Sequence, residues 1–519
     1  MNFKIPVSAA LRFILGITLM SAQSARAQLA TISVETKALG KKIPRDFVGL
    51  SLEVSQGGQG LPALRKNQLG GGLPQPGEQA QYALGHPGAP NEDFFHFMRN
   101  LGPGVLRLGG NSQDNTCWDS EQAPHPGWCH ATLGAGDLKL FSQAAKASGW
   151  RLILGLNLRQ DSASWALREV SDGIARNIQP QQLLGLEIGN EPDLFRRAGQ
   201  PTGYSQSEHV RDFLSYVRAL HENPIAKNYP AIGPATCCTW RNADDLGLFI
   251  DGVGRENLRI VTVHNYSESV CDGKVVTAAQ LLAPAAMAQF DQVAQTWIAA
   301  VHRRRLPIAL AETNSASCGG MPGVSNAFAA TAWGLSYMYS VAHDGFRYVN
   351  FHMSYRPGGS SYNAIDTFGR QDSSRVWHYR NVPEPLYYAM YLFARNASGE
   401  HLLRTAVTSR ANIRSFAVSS CAGCAVKVFV INEDLQAAGR VRVRAAERTG
   451  SASLLLVRAP SLSSPASQIT YGGAQFDSHG RLHAPNATQV SSDAHGGYTF
   501  VLPHASVALL TIAGPRSHE

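Results

Sequence analysis

Short apolar runs, most of them followed by polar residues, recur along the middle of the chain. They are Phe47–Glu53, Val105–Gly109, Leu152–Asn157, Leu184–Gly189, Ala231–Ala235, Ile260–His264, Ile308–Ala311 and Tyr348–Met353. Each has the length and texture of a buried strand. Between them lie segments of helical periodicity: Asp137–Ser148, Glu208–His221, Ala279–Arg303 and Asn326–His343. In Glu208–His221, for example, Val210, Phe213, Leu214 and Val217 share one face, and Ser205 or Ser207 is placed to cap the helix. Alternation of this kind predicts an α/β fold, a (β/α)8 TIM barrel.

Beyond Pro383-Glu384-Pro385 an apolar helical stretch, Leu386 to Phe393, closes the barrel region. From Leu402 onward the texture changes to short alternating runs, including Arg414–Val418, Val426–Ile431, Val441–Val443, Ser453–Val457 and Val507–Ile512, separated by Gly, Ser, Pro and Asn clusters. That pattern predicts a C-terminal β-sandwich. Thr31–Glu35 alternates in the same way and is expected to add an N-terminal strand to it. The expected division is a leader at 1–27, the N-terminal strand at 28–45, the catalytic barrel at 46–398 and the sandwich at 399–519. Gln56–Pro90, rich in Gly and Pro, reads as a long loop on the barrel's active face.

The first residues join Lys4 and Arg12 to an apolar segment, Phe13 to Met20, and then small residues ending at Ala25-Arg26-Ala27. This is a signal-peptide pattern with cleavage after Ala27, so the mature protein is expected to be secreted or periplasmic, with no membrane attachment. The formal charge of +8 falls to +5 without Lys4, Arg12 and Arg26 of that leader. A modest positive excess suits an acidic substrate such as a uronic-acid polysaccharide. The chain has no basic run interleaved with aromatics, which argues against nucleic acid. Eight cysteines in an exported chain point to disulfides. Cys117 with Cys129, and Cys421 with Cys424, bracket short loops and suit local bridges. Cys237, Cys238, Cys271 and Cys318 all follow predicted strands, which suits cross-loop bridges or, less simply, a zinc site.

Chemistry enters where the strands end. Leu183-Leu184-Gly185-Leu186-Glu187-Ile188 runs into Gly189-Asn190-Glu191-Pro192, and Leu306-Pro307-Ile308-Ala309-Leu310-Ala311 runs into Glu312-Thr313-Asn314-Ser315. In a (β/α)8 barrel the C-terminal strand tips carry the active site. Two carboxylates there suit glycoside hydrolysis, which needs an acid for the leaving oxygen and a carboxylate to attack the anomeric carbon or activate water. Glu191 fits the acid/base, Glu312 the nucleophile, and a separation of about 5–5.5 Å with a retaining outcome is expected. No cofactor and no metal are required.

Glu191 ends the fourth candidate strand and Glu312 the seventh, and this order resembles the clan A glycoside hydrolases. Within the clan, four motifs resemble glycoside hydrolase family 79, the β-glucuronidase and heparanase family: Phe47-Val48-Gly49-Leu50-Ser51-Leu52-Glu53, Leu106-Arg107-Leu108-Gly109-Gly110-Asn111-Ser112, Gly189-Asn190-Glu191-Pro192 and Ala311-Glu312-Thr313-Asn314-Ser315. Pro385-Leu386-Tyr387-Tyr388 is similar too. The resemblance implies that Glu53 and Asp114 bind sugar hydroxyls, that Asn190 contacts the 2-hydroxyl and that Asn111 lines the same subsite. It also implies that Tyr266 orients the nucleophile, with His264 supporting the site. Ser317 stands where the heparanase branch has an aromatic residue, which leaves recognition of the uronate to backbone amides, Tyr362 or Arg356. The implied activity is release of β-linked glucuronic acid from the non-reducing end of glucuronides or glycans. The alternatives are an endo-acting, heparanase-like β-glucuronidase and a catalytically inactive carbohydrate-binding barrel.

Overall fold

A computed structural model describes residues 28–55, 75–119, 124–160, 162–195, 203–354, 360–446 and 448–514. The proposed leader, Arg356 and the first part of the Gln56–Pro90 loop lie outside the described residues. The expected barrel is present. Its strands are β1 (Val48–Glu53), β2 (Val105–Gly109), β3 (Arg151–Leu156), β4 (Leu183–Ile188), β5 (Ala231–Thr236), β6 (Ile260–Ser269), β7 (Ile308–Ser317) and β8 (Val349–Met353). All neighbours pair in parallel, and β8 pairs with β1 to close the cylinder.

Two strands run further than their apolar stretches suggested. β6 and β7 continue as a ladder through Tyr266 opposite Asn314 to Ser269 opposite Ser317, and the Cys271–Cys318 disulfide lies just beyond. Glu312 therefore sits within β7, directly opposite His264, rather than after its end. The predicted helix Ala279–Arg303 is divided into Ala278–Leu281 and Pro284–Arg303, because Pro284 begins a new helix at a position where its missing N–H costs nothing. Helix Gln206–Glu222 starts at Ser205, whose hydroxyl accepts from the Glu208 N–H while the Glu208 carboxylate accepts from the Ser205 N–H.

The second unit is a ten-stranded sheet. The N-terminal strand Gln28–Lys42 lies inside it, antiparallel to His401–Ser409 and parallel to Gly439–Ala445. Ala30, Ile32 and Val34 alternate into a core with Val428, Val443, Tyr498 and Leu510. Another face packs on the barrel through stacked rings, Tyr339 on Phe416 at 4.7 Å and Phe416 on Phe429 at 4.3 Å. A hairpin that the sequence did not announce, Ile365–Gln371 with Trp377–Pro383, follows β8 and takes up Gln79–Ala80 as a third strand. It ties the loop after β1 to the loop after β8, reinforced by Arg380 bonded to Glu78. Among the described residues, no helix is long and apolar enough to cross a membrane.

Cysteine pairing follows expectation at Cys117–Cys129 and Cys421–Cys424. The other four do not form two cross-loop bridges or a zinc site. Cys271 bridges to Cys318, but Cys237 bonds to its neighbour Cys238.

Ile32 is fully buried between two partner strands. Ile32→Ala is expected to lower the unfolding free energy by about 2–5 kcal/mol, read as a shift of the urea midpoint.

Candidate active site

Alternation along the strands builds the barrel interior in layers. Val105, Ile153, Leu184, Ile232, Ile260, Ala309 and Tyr348 form an apolar cluster of their own. Two residues further along β2, β6 and β8, the interior turns polar: Arg107, Thr262 and Asn350 are all fully buried. Two residues on again come His264 and His352, level with Glu312.

Arg107 organises this polar interior. Its Nε donates to Glu187, one Nη donates to Ser51 at 3.0 Å and to Glu312 Oε2 at 2.8 Å, and the other donates to Asn190 Oδ1 at 2.7 Å. Glu187 accepts a further bond from Thr262 at 3.0 Å, so this buried carboxylate is satisfied on both oxygens. Burial alone would weaken the Arg107 charge, but the Glu187 and Glu312 carboxylates outweigh it and raise the pKa further.

Glu312 is held on both oxygens. Oε2 accepts from Arg107, and Oε1 accepts from the Tyr266 hydroxyl at 2.8 Å. Burial pushes the Glu312 pKa upward, yet the charges of His352, His264 and Arg107, with the Tyr266 hydrogen bond, hold it well below the ordinary carboxylate range. Glu191 is shifted the other way. Burial raises its pKa, and the Glu312 charge adds to the rise against the opposing hydrogen bond to His264 Nδ1 at 3.1 Å. One oxygen of each glutamate and a His264 ring nitrogen all lie within 4.8 Å of one another. Two carboxylates thus face each other, one stabilised as the anion and the other as the acid.

The remaining predicted residues gather nearby. Glu53 accepts from the Ser112 N–H at 2.7 Å and lies 3.8 Å from His352. Gly110 makes that approach possible: its φ is +74°, and a Cβ there would stand 2.5 Å from Glu53 Oε2. Asn190 donates its amide to Asn111 at 3.1 Å, because Arg107 claims its carbonyl oxygen. Asp114 is buried with one oxygen unpartnered among the described residues; burial raises its pKa, and the charges of Glu191 and Glu53 add to this. Tyr362 packs beside Tyr266 and His352, with ring centroids 6.2 and 6.1 Å apart. Ser317 ends the β6–β7 ladder, where its hydroxyl donates to Ser269 at 3.0 Å.

Arg107, Glu187 and His352 were given no role from sequence. A charged residue in the middle of an apolar strand was the available signal for the first two, Val105-Leu106-Arg107-Leu108-Gly109 and Leu183-Leu184-Gly185-Leu186-Glu187-Ile188. His352 carried no such mark. The Glu191-His264-Glu312 trio has the composition of a metal site, but two of its members are the facing carboxylates themselves and Glu312 is already engaged by Arg107 and Tyr266.

No family model matches the chain. A β-glucuronidase of Neurospora crassa is 24% identical over 341 residues, covering 57% of this chain and 59% of its own length. A heparanase of Gallus gallus is 25% identical over 244 residues, covering 46% of this chain and 45% of its own. The chain thus spans well under two thirds of these curated relatives. In fold it is similar to a 4-O-α-L-rhamnosyl-β-D-glucuronidase of Fusarium oxysporum, at 18% identity and a TM-score of 0.72, covering 93% of this chain and all of that one. The curated relatives bear out the resemblance read from the four motifs, and the solved structure bears out the fold.

Proposed function

We propose that this protein is a retaining exo-β-glucuronidase, exported through its N-terminal leader. The observation that carries the reading is the facing pair Glu191 and Glu312, with oxygens within 4.8 Å and pKa values driven apart. That closeness suits direct attack by a carboxylate, because an inverting pair stands about 6.5–9.5 Å apart to admit water. The relatives' printed activities, β-glucuronidase and heparanase, support glucuronic acid as the sugar released.

Glu312, kept ionised, attacks the anomeric carbon of a terminal β-glucuronate. Glu191 gives its proton to the departing glycosidic oxygen, leaving a glucuronyl ester on Glu312. Glu191, now the base, takes a proton from water that attacks the same carbon, and β-glucuronic acid leaves with net retention. Tyr266 and Arg107 fix the attacking carboxylate. Asn190 has one amide N–H beyond the one given to Asn111, which suits the 2-hydroxyl, and Glu53, Asp114 and Asn111 suit other hydroxyls. All three Arg107 nitrogens already donate to partners within the barrel, so recognition of the uronate falls to Tyr362 and neighbouring backbone amides. The deep burial of Glu312 and Asp114, 6% and 4% exposed, favours a pocket for a chain end over an open cleft.

Glu312→Gln and Glu191→Gln should each remain folded and lose about 10³-fold or more in kcat/KM on an aryl β-glucuronide. Wild-type-like rates in either variant would refute its assignment. Digestion of a glucuronate-bearing polysaccharide should release monosaccharide without early shortening of the chain; rapid shortening would favour endo action.

The acid form of Glu191 is needed in the first step. Its raised pKa keeps it protonated above the ordinary carboxylate range, and activity should fall as pH rises through that pKa. The lowered pKa of Glu312 keeps the nucleophile ionised, so it should impose no acid limb in the ordinary carboxylate range. In Glu191→Gln the basic limb should vanish from the pH profile of kcat/KM.

Arg107→Met would strand Glu187 and Glu312 as buried charges and should cost about 3–5 kcal/mol of stability. Arg107→Lys should restore little activity, since an ammonium does not reproduce the fork that spans these partners. Chemical denaturation and initial rates check the two together.

A further inference from the structure

Adjacent cysteines bonded to one another join no distant parts of the chain. The Cys237–Cys238 bridge has a sequence separation of 1 and a Cα separation of 3.8 Å. It closes almost no loop, so it adds little of the entropic stabilisation that longer bridges bring. Its local effect is to close a small covalent ring around the peptide between the two residues. That ring lies just past β5, where three successive backbone N–H groups point at one carboxylate. Cys237, Cys238 and Thr239 donate to Asp193 at 3.2, 2.7 and 2.8 Å, and the Thr239 hydroxyl donates to the Asp193 carbonyl at 3.3 Å.

Asp193 follows Glu191 by two residues, in the short turn Pro192–Leu194 that Glu191 itself opens. Glu191 has a φ of +48°, in the left-handed region that residues with side chains seldom occupy. Such a conformation persists only where its surroundings over-determine it. The surroundings here are the tip of β5: the Glu191 N–H donates to the Ala235 carbonyl at 2.9 Å, and Asp193 is gripped by the residues that follow. Asp193, Cys237 and Cys238 together have the composition of a metal site, but sulfurs bonded to one another offer no thiolate ligand.

We propose that the Cys237–Cys238 disulfide and Asp193 form a clamp that positions Glu191 for proton transfer to the leaving oxygen. The proposal rests on the reading of Glu191 as acid/base. Cys237 and Asp193 are positioning residues: they act through the backbone of Glu191, and the Asp193 charge also disfavours the Glu191 anion. Cys238 is exposed, so the bridge is open to a thiol reductant from one side.

The test compares two aryl β-glucuronides, phenyl and 2,4-dinitrophenyl, since only the poorer leaving group needs a proton to depart. Glu191→Ala sets the reference: a large loss on the phenyl substrate, a much smaller one on the dinitrophenyl substrate, and recovery with azide. Cys237→Ala/Cys238→Ala and, separately, Asp193→Asn should show the same signature more mildly, about tenfold on the phenyl substrate and far less on the other. The near-normal rate on the activated substrate also reports that each variant is folded. Equal losses on both substrates, or none on either, while Glu191→Ala shows the signature, would overturn the clamp alone. A Glu191→Ala variant that loses both rates equally would overturn the acid/base reading, and the clamp with it.

Discussion

Everything in this site depends on one buried guanidinium. Arg107 sits wholly inside the barrel and reaches four partners at once: Ser51 on β1, Glu187 on β4, Asn190 just beyond β4 and Glu312 on β7. Burying a charge is costly unless it is paired and hydrogen-bonded. Here two carboxylates neutralise it, and one of them, Glu187, is further held by Thr262. The arrangement fixes a register between strands on opposite sides of the barrel. It also keeps an anion at Glu312 where burial alone would favour the acid.

The second consequence is asymmetry between two glutamates. Glu312 faces Arg107, Tyr266 and the two imidazoles, all of which favour its charged form. Glu191 has burial and the charges of Glu312 and Asp193 against its ionised form, and His264 in favour of it. Each residue's state therefore helps to set the other's: the more firmly Glu312 is ionised, the more readily Glu191 keeps its proton. Facing carboxylates with opposed environments take opposite protonation states by this logic.

The barrel was legible because its strands are short apolar runs separated by helical periodicity, and both facing glutamates were legible because they stand where such runs end. Less could be read where pairing rather than composition decides the structure. β6 and β7 extend through polar residues, Tyr266–Ser269 and Asn314–Ser317, because each ladder satisfies the other's backbone. The hairpin Ile365–Gln371/Trp377–Pro383 is polar on one strand and gives a weak alternation signal, yet it forms by pairing with itself and Gln79–Ala80. Arg107 and Glu187 lay in plain view inside quoted motifs, but a charged residue in a strand does not announce its partner from 80 residues away. The vicinal bridge went unforeseen because spacing alone suggested partners across loops.

In the proposed reaction Glu312, held ionised by Arg107 and Tyr266, becomes covalently bonded to the sugar. Incubation with a 2-deoxy-2-fluoro-β-glucuronide bearing a good leaving group should trap that intermediate, and peptide mass spectrometry reads its location. One fluoroglucuronyl group per chain is expected, on the peptide containing Glu312. An adduct on another residue, or turnover with inversion and no adduct, would contradict it.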